Sequence, residues 1–101
     1  MKSKYATLPA VKLVARRYLV SGRVQGVGFR HFVLQVAAKM KVSGYVRNLD
    51  DGRVEAYVIG TEAQQEQMVW HLSRGPRWSD VRGVEALEAA MLQYEGFRVT
   101  H

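Results

Sequence analysis

The chain is constrained most by a glycine-containing segment, residues 22–30, which connects a strand-like sequence to a helix-like one. Apolar residues 13–20 precede it, and residues 29–40 carry apolar side chains at helical spacing. Glycines permit positive φ, and the following helix start offers unpaired N–H groups and the positive end of its dipole. Arg30 adds a guanidinium that can bind two phosphoryl oxygens at once. The segment therefore predicts a pocket for a small phosphorylated ligand.

The spacing of these glycines does not match two common nucleotide-binding motifs. Gly26 and Gly28 are not followed by the third glycine of the dinucleotide fingerprint, and the Gly-Lys-Ser/Thr ending of a P-loop is missing. Glycines also occur in tight strand-to-helix turns that bind nothing. Spacing alone therefore leaves both a ligand pocket and a plain turn open.

Composition narrows the class of protein. A chain of 101 residues with 48% hydrophobic content fits one globular domain. The lack of cysteine excludes disulfides and thiolate chemistry and is compatible with a reducing compartment. The net charge of +6 favours anionic partners, either phosphorylated metabolites or nucleic acid. No apolar run approaches the roughly 20 residues that span a bilayer. Residues 1–10 lack a signal core, so we expect a loose N-terminal extension, a domain over residues 11–101 and a cytoplasmic location.

Hydrophobic periodicity predicts a strand, a helix, two strands, a second helix and two further strands. Thr61 and Gln64 are spaced as a capping box at the start of the second helix, and Gly75 ends it. The predicted strands cover residues 11–20, 44–49, 53–59, 81–91 and 97–99, with the first helix over residues 29–40. This order predicts an α+β, ferredoxin-like (βαββαβ) fold, with an antiparallel sheet and both helices on one face. Trp70 and Trp78 are expected to pack near the second helix.

Two blocks of sequence resemble the signatures of the acylphosphatase family. Residues 22–30 read Gly-Arg-Val-Gln-Gly-Val-Gly-Phe-Arg, similar to that family's Gly-Arg-Val-Gln-Gly-Val-x-Phe-Arg. Residues 44–48 read Gly-Tyr-Val-Arg-Asn, similar to its Gly-Trp/Tyr-Val-Arg/Lys-Asn. The resemblance extends from about Val11 to Val99. It implies a ferredoxin-like hydrolase that splits the carboxyl–phosphate bond of acyl phosphates into carboxylate and inorganic phosphate, by direct attack of water.

The resemblance also implies a set of site residues. Arg30 would bind the phosphoryl group, and Asn48 would position the attacking water. The phosphate-binding loop would consist of Gln25, Gly26, Val27, Gly28 and Phe29. The family works without metal, cofactor or phosphoenzyme, so we expect none here, and a monomer with no membrane partner. Where the family commonly has glycine near the end of the first helix, this chain has Lys41, although Gly44 could take over the capping role.

The groups missing around the loop agree with an easily cleaved substrate. The three histidines, His31, His71 and His101, are widely separated and lack a metal-ligand spacing, and Asp50 and Asp51 fit a hairpin turn. An acyl phosphate expels a carboxylate whose conjugate acid has a pKa of about 4, so no general acid is required. Orientation of water and stabilisation of phosphoryl charge would be sufficient.

Two other functions remain open at this point. One is a basic ferredoxin-like module that binds RNA, on an open sheet face, or phosphorylated ligands, without catalysis. The Lys/Arg-Gly-Phe/Tyr-Gly/Ala-Phe string of RNA-recognition strands is absent, so nucleic acid is not the expected partner. Acylphosphatase-like domains also form part of carbamoyl-transfer enzymes. Such modules belong to much longer chains, so we expect the stand-alone form.

Overall fold

A computed structural model describes residues 11–101, and the predicted extension over residues 1–10 lies outside the described part. The described residues form five strands and two helices in the predicted order. Their bounds are β1 Val14–Arg23, α1 Phe29–Met40, β2 Ser43–Asn48, β3 Val54–Gly60, α2 Glu62–Arg74, β4 Asp80–Glu88 and β5 Phe97–Thr100.

The five strands form one sheet in the order β4-β1-β3-β2-β5. The β1–β3, β1–β4 and β2–β3 pairs are antiparallel, whereas β5 runs parallel to β2, with Gly44 opposite Phe97 and Arg47 opposite Thr100. Side chains of α1 and α2 share one core cluster with a single face of β1 and β3, so both helices cover the same face. The predicted α+β, ferredoxin-like fold is confirmed, apart from the parallel edge strand. Because β5 is parallel to β2, the C-terminal ends of these two strands lie side by side.

A polar pair lies inside the helix-side core. The Tyr18 hydroxyl donates a hydrogen bond to Gln65 Oε1 at 2.6 Å. Gln65 Nε2 donates to the carbonyl oxygens of Val14 at 3.0 Å and Val58 at 2.9 Å. Both side chains are fully buried. Because every polar atom of the Gln65 amide is paired, α2 can bury this residue at little cost and is linked to two strands by it.

The opposite face of the sheet is covered by residues 89–96, which connect β4 to β5. The Tyr57 hydroxyl donates to the Ala90 carbonyl oxygen at 2.6 Å and accepts from the Leu92 amide at 2.8 Å. The Tyr94 ring lies with its centroid 5.7 Å from those of both Tyr45 and Tyr57. The predicted strand over residues 81–91 was therefore too long, because the chain leaves the sheet edge after Glu88 to cover this face.

A buried carboxylate lies on the same covered face. Glu55, in the central strand β3, is 3% exposed. One of its oxygens accepts from Arg47 Nε at 2.6 Å and from the Tyr45 hydroxyl at 3.0 Å. The other lies 3.5 Å from Arg17 Nε. The partners Arg17, Tyr45 and Arg47, on the two neighbouring strands, explain how this charged residue can be buried.

The helix ends follow local sequence signals. The predicted capping box of α2 is confirmed, with the Gln64 amide donating to Thr61 Oγ1 at 3.2 Å and the Thr61 amide donating to Gln64 Oε1 at 2.8 Å. Helix α1 ends at Lys41, which adopts the left-handed conformation at φ 59° and ψ 38°. Gly44 does not take over this role; it lies in β2 directly against the Tyr57 carbonyl.

The two tryptophans do not pack as predicted. Trp70 is 55% exposed and Trp78 is 70% exposed. Helix α2 buries the stripe that contains Met68 and Leu72. Trp70 is two residues from each of them, a rotation of about 200° around the helix axis, and therefore lies on the opposite side of the helix. Within residues 11–101, no helix has both the length and the apolar composition needed to cross a membrane.

Candidate active site

A cavity of about 350 Å³ lies where the loop before α1 meets the ends of β2 and β5. It is lined by Val24, Gly26, Gly28, Phe29, Arg30, His31, Asn48, Val99 and His101. The structure thus brings together five of the predicted site residues: Gly26, Gly28, Phe29, Arg30 and Asn48. Gln25 and Val27 are not part of the lining; the Val27 side chain packs against the core instead.

The loop backbone is shaped for an anion. Gly26 and Gly28 have φ values of 74° and 78°, and a Cβ atom on either would meet nothing within 4 Å. Glycine is therefore needed here for the left-handed conformation, not for space. Among residues 11–101, no acceptor is bonded to the main-chain N–H groups of residues 25–28. These donors remain available to a ligand.

The start of α1 strengthens this anion-binding character. Gly28 is the N-cap and supplies no side-chain cap, and the first turn contains no acidic residue. The first N–H groups of a helix have no partner within the helix and carry the positive end of its dipole. Arg30 lies in this first turn and is partly exposed. The local charge of loop, helix start and arginine is therefore positive.

The side chain of Gln25 fixes the loop to the neighbouring hairpin. Its Nε2 donates to the carbonyl oxygens of Leu49 at 2.8 Å and Arg53 at 2.9 Å. Leu49 follows Asn48, the last residue of β2. The loop that contains the glycines and the strand that contains Asn48 are thus held together by one amide group.

Asn48 faces the cavity because of its position in β2. It has the same parity as Val46, which is fully buried in the core between sheet and helices. At the end of the strand this face opens into the cavity, where Asn48 is half-buried. The asparagine and the Arg30 guanidinium are brought to one cavity by two different elements.

Two histidines that the sequence treated as dispersed also line the cavity. His31 follows Arg30 in α1 and is exposed, as a residue at the helix start is expected to be. His101 follows β5, and its Nδ1 lies 3.3 Å from Arg30 Nη1. The sequence signal for His101 was the predicted last strand, but its position requires the parallel pairing with β2, which periodicity does not reveal.

The acidic residues lie elsewhere. Among residues 11–101, no Asp or Glu side chain lines the cavity. Asp51 belongs to the turn after β2, where its oxygens accept from the Arg53 amide at 3.1 Å and from Arg53 Nε at 2.9 Å; these bonds hold the pKa of Asp51 below its usual value. In the part of the chain that the structure describes, no three His, Cys, Asp or Glu side chains are grouped so as to hold a metal.

Comparisons with known proteins agree with the fold. The sequence model of the acylphosphatase family matches residues 16–99. An acylphosphatase from Solibacter usitatus is 50% identical over 97 residues, covering 96% of this chain and 98% of the relative. The crystal structure of acylphosphatase from Bacillus subtilis superimposes with a TM-score of 0.83 at 38% identity, over 89% of this chain and 100% of that one.

A larger protein contains the same fold. Full-length HypF, in a phosphate- and nucleotide-bound form, matches with a TM-score of 0.82 at 26% identity, over 92% of this chain but 12% of its own. The family match and the curated relatives together show that the chain belongs to the acylphosphatase family. The prediction of a hydrolase that acts on acyl phosphates is confirmed.

Proposed function

We propose that Arg30 and the main-chain amides of residues 25–29 bind the phosphoryl group of the acyl phosphate, and that Asn48 orients the attacking water. The observation that carries this proposal is the single cavity shared by Arg30, Asn48 and the positive-φ glycines at an uncapped helix start. Considered alone, each of these residues is also explained by a purely structural role. Their convergence on one cavity, lined by no Asp or Glu side chain of the described residues, favours an anionic substrate.

The position of Arg30 supports its proposed role. A cation at a helix N-terminus is opposed by the helix dipole. An anion in the cavity would reverse this unfavourable interaction, because it would interact with both the guanidinium and the N–H groups. The planar guanidinium can donate two parallel hydrogen bonds to phosphoryl oxygens, while loop amides stabilise the charge that these oxygens carry in the transition state.

Asn48 would act on the water. Its side-chain carbonyl can accept a hydrogen bond from a water molecule, and its NH₂ group can donate to a phosphoryl oxygen. Such contacts would hold the water oxygen in line with the bond that breaks. Asn48 is uncharged and would position the nucleophile without removing its proton in advance.

The reaction is balanced without an acid catalyst. The water oxygen forms a new bond to phosphorus, and the acyl oxygen leaves with the electron pair of the broken P–O bond. The products are a carboxylate and inorganic phosphate, and the proton that phosphate does not retain passes to solvent. A carboxylate is a stable leaving group at neutral pH, because its conjugate acid has a pKa of about 4. The lining of the cavity, which in the part of the chain described by the structure contains no Asp or Glu side chain, fits this substrate class.

The RNA-binding alternative is not favoured by the covered face of the sheet. A stacking platform requires aromatic rings that are open to bases. Here Tyr57 is buried, and two other rings pack against it, Tyr45 from β2 and Tyr94 from residues 89–96. RNA binding with submicromolar affinity and a steep salt dependence would contradict our expectation that nucleic acid is not a partner of this protein.

The proposal is tested by the hydrolysis of benzoyl phosphate, followed by ultraviolet absorbance in excess chelator. We expect metal-independent turnover by the wild type and a loss of about 100-fold or more in kcat for Arg30→Ala and Asn48→Ala. Arg30→Lys should also fail, since an ammonium cannot reproduce the two-pronged contact. Arg74→Ala, which removes an exposed arginine from α2, is the matched control. Near-wild-type turnover by folded Arg30→Ala and Asn48→Ala would refute the assigned roles.

We also propose that the enzyme is a monomer of the cytoplasm. The cysteine-free sequence suits a reducing compartment. Sedimentation at micromolar concentration should give one species with the mass of a single chain, and fractionation of the source cells should place the activity in the cytosolic fraction. A dimer, or activity confined to the exported fraction, would contradict the respective part.

A further inference from the structure

We propose that the imidazole of His101 is a positioning residue for Arg30: it holds the guanidinium on the cavity wall and so strengthens binding of the phosphoryl group. This inference rests on the proposed role of Arg30. It concerns a residue that has no counterpart in the two signature segments, and it arises from the way the last strand joins the sheet.

The register of the sheet places His101 beside the catalytic candidates. Strand β5 runs parallel to β2, and Thr100 is paired with Arg47. Asn48 follows Arg47, and His101 follows Thr100. Both residues therefore lie at the same end of the two paired strands, and both line the cavity. The start of α1 faces this end and supplies Arg30. Three elements distant in sequence therefore converge at one point.

The contact between the two side chains has a defined chemistry. Arg30 Nη1 lies 3.3 Å from His101 Nδ1. A guanidinium has only N–H donors and stays protonated, so Nδ1 must be the acceptor and must carry no proton. The imidazole proton then resides on Nε2. In this tautomer the imidazole accepts from Arg30 and leaves the guanidinium charge in place.

The geometry leaves Arg30 free to bind substrate. A guanidinium has five N–H donors, and one bond to His101 leaves the others available for phosphoryl oxygens. Arginine has long flexible rotamers, whose restriction on binding costs affinity. A side chain that is already held on the cavity wall avoids part of this cost. His101 therefore acts on binding through Arg30, and a direct contact with the phosphoryl group is not required.

The experiment compares His101→Ala and His101→Asn with the wild type. We expect His101→Ala to raise KM for benzoyl phosphate and the inhibition constant of inorganic phosphate together, by about three- to tenfold, with a smaller change in kcat. His101→Asn keeps an acceptor oxygen near the Nδ1 position and should restore most of this loss. His71→Ala, which removes a histidine from α2 outside the cavity, should leave both constants unchanged.

A spectroscopic readout separates this inference from the proposed role of Arg30. In ¹⁵N-labelled protein without ligand, the Arg30 Nε–H resonance should report a more mobile side chain in His101→Ala than in the wild type or His101→Asn. Unchanged KM, phosphate inhibition and Arg30 mobility in His101→Ala would overturn the inference. If Arg30→Ala hydrolyses benzoyl phosphate normally, the proposed catalytic role fails, whereas the mobility measurement still tests whether His101 holds Arg30.

Discussion

Gln25 is joined to Leu49 by a hydrogen bond of 2.8 Å between its side-chain Nε2 and the Leu49 carbonyl oxygen. Leu49 directly follows Asn48, so this bond links the phosphate-binding loop to the strand end that carries the proposed water-orienting residue. Because the same Nε2 also donates to the Arg53 carbonyl oxygen at 2.9 Å, both strands of the β2–β3 hairpin are attached to the loop. Gln25 thus contributes to the site without lining the cavity.

Gln25→Ala should reduce kcat/KM for benzoyl phosphate by about tenfold or more, since small displacements of positioned groups are costly. The loss of two hydrogen bonds should also lower the free energy of unfolding by about 1–2 kcal/mol. Assays of turnover and urea unfolding on the same preparation check both effects. Gln35→Ala, on the exposed side of α1, should change neither by a comparable amount. Full activity of Gln25→Ala would show that the loop is positioned without this link.

Gln65→Ala should lower the free energy of unfolding by about 2–4 kcal/mol, because it leaves the Tyr18 hydroxyl and two strand carbonyls without their buried partner. Chemical denaturation measures this value. Gln67→Ala, an exposed position of the same helix, is the control and should cost less than about 0.5 kcal/mol. Equal destabilisation by the two variants would mean that the buried network contributes nothing specific.

Lys41→Gly should raise the free energy of unfolding by about 1 kcal/mol. The left-handed conformation of Lys41, at φ 59°, costs a residue with a Cβ atom roughly this amount and costs glycine almost nothing. In a domain of this size the melting temperature should increase by about 4–8 °C. Lys39→Gly, two residues earlier and inside the helix, should instead destabilise by about 1 kcal/mol. A melting temperature of Lys41→Gly at or below the wild-type value would contradict this account.

The phenol of Tyr45 should make stability sensitive to alkaline pH. Burial, together with its hydrogen bond to Glu55, raises the pKa of Tyr45 from 10.0 to about 12. The folded protein thus favours the neutral phenol, and this stabilisation is complete below pH 10 and is lost as the pH rises from 10 to about 12. Urea unfolding across this range should show a steeper loss of stability in the wild type than in Tyr45→Phe. Absorbance at 295 nm should show one less late-ionising tyrosine in the variant; identical curves would exclude the raised pKa.

Local sequence signals were sufficient for most of the fold. The stripe that includes Phe29 and Val33 predicted α1, and the Thr61–Gln64 pair predicted the start of α2, because both depend on residues within one or two turns of each other. The alternation of Val54 and Ala56 likewise predicted which face of β3 meets the helices.

Features that depend on distant parts of the chain were not predictable in this way. Glu55 is buried with partners from two neighbouring strands, Arg17 in β1 and Arg47 in β2, and His101 reaches the cavity because β5 pairs in parallel with β2. Trp70 was expected to pack because it is apolar, yet the helix already fills its buried stripe with other residues. The burial of each of these residues, or its position at the cavity, depends on tertiary packing. It could not be predicted from the residue type.

Residues 89–96, which cover the sheet face opposite the helices, connect the two outermost strands, β4 at one edge and β5 at the other. Detachment of β5 would therefore uncover the tyrosine-rich surface and remove His101 from the cavity in the same event. Substrate binding at the cavity and coverage of the sheet face opposite the helices are therefore coupled in this fold. Fraying of this edge strand would weaken substrate binding and would expose buried aromatic residues at the same time.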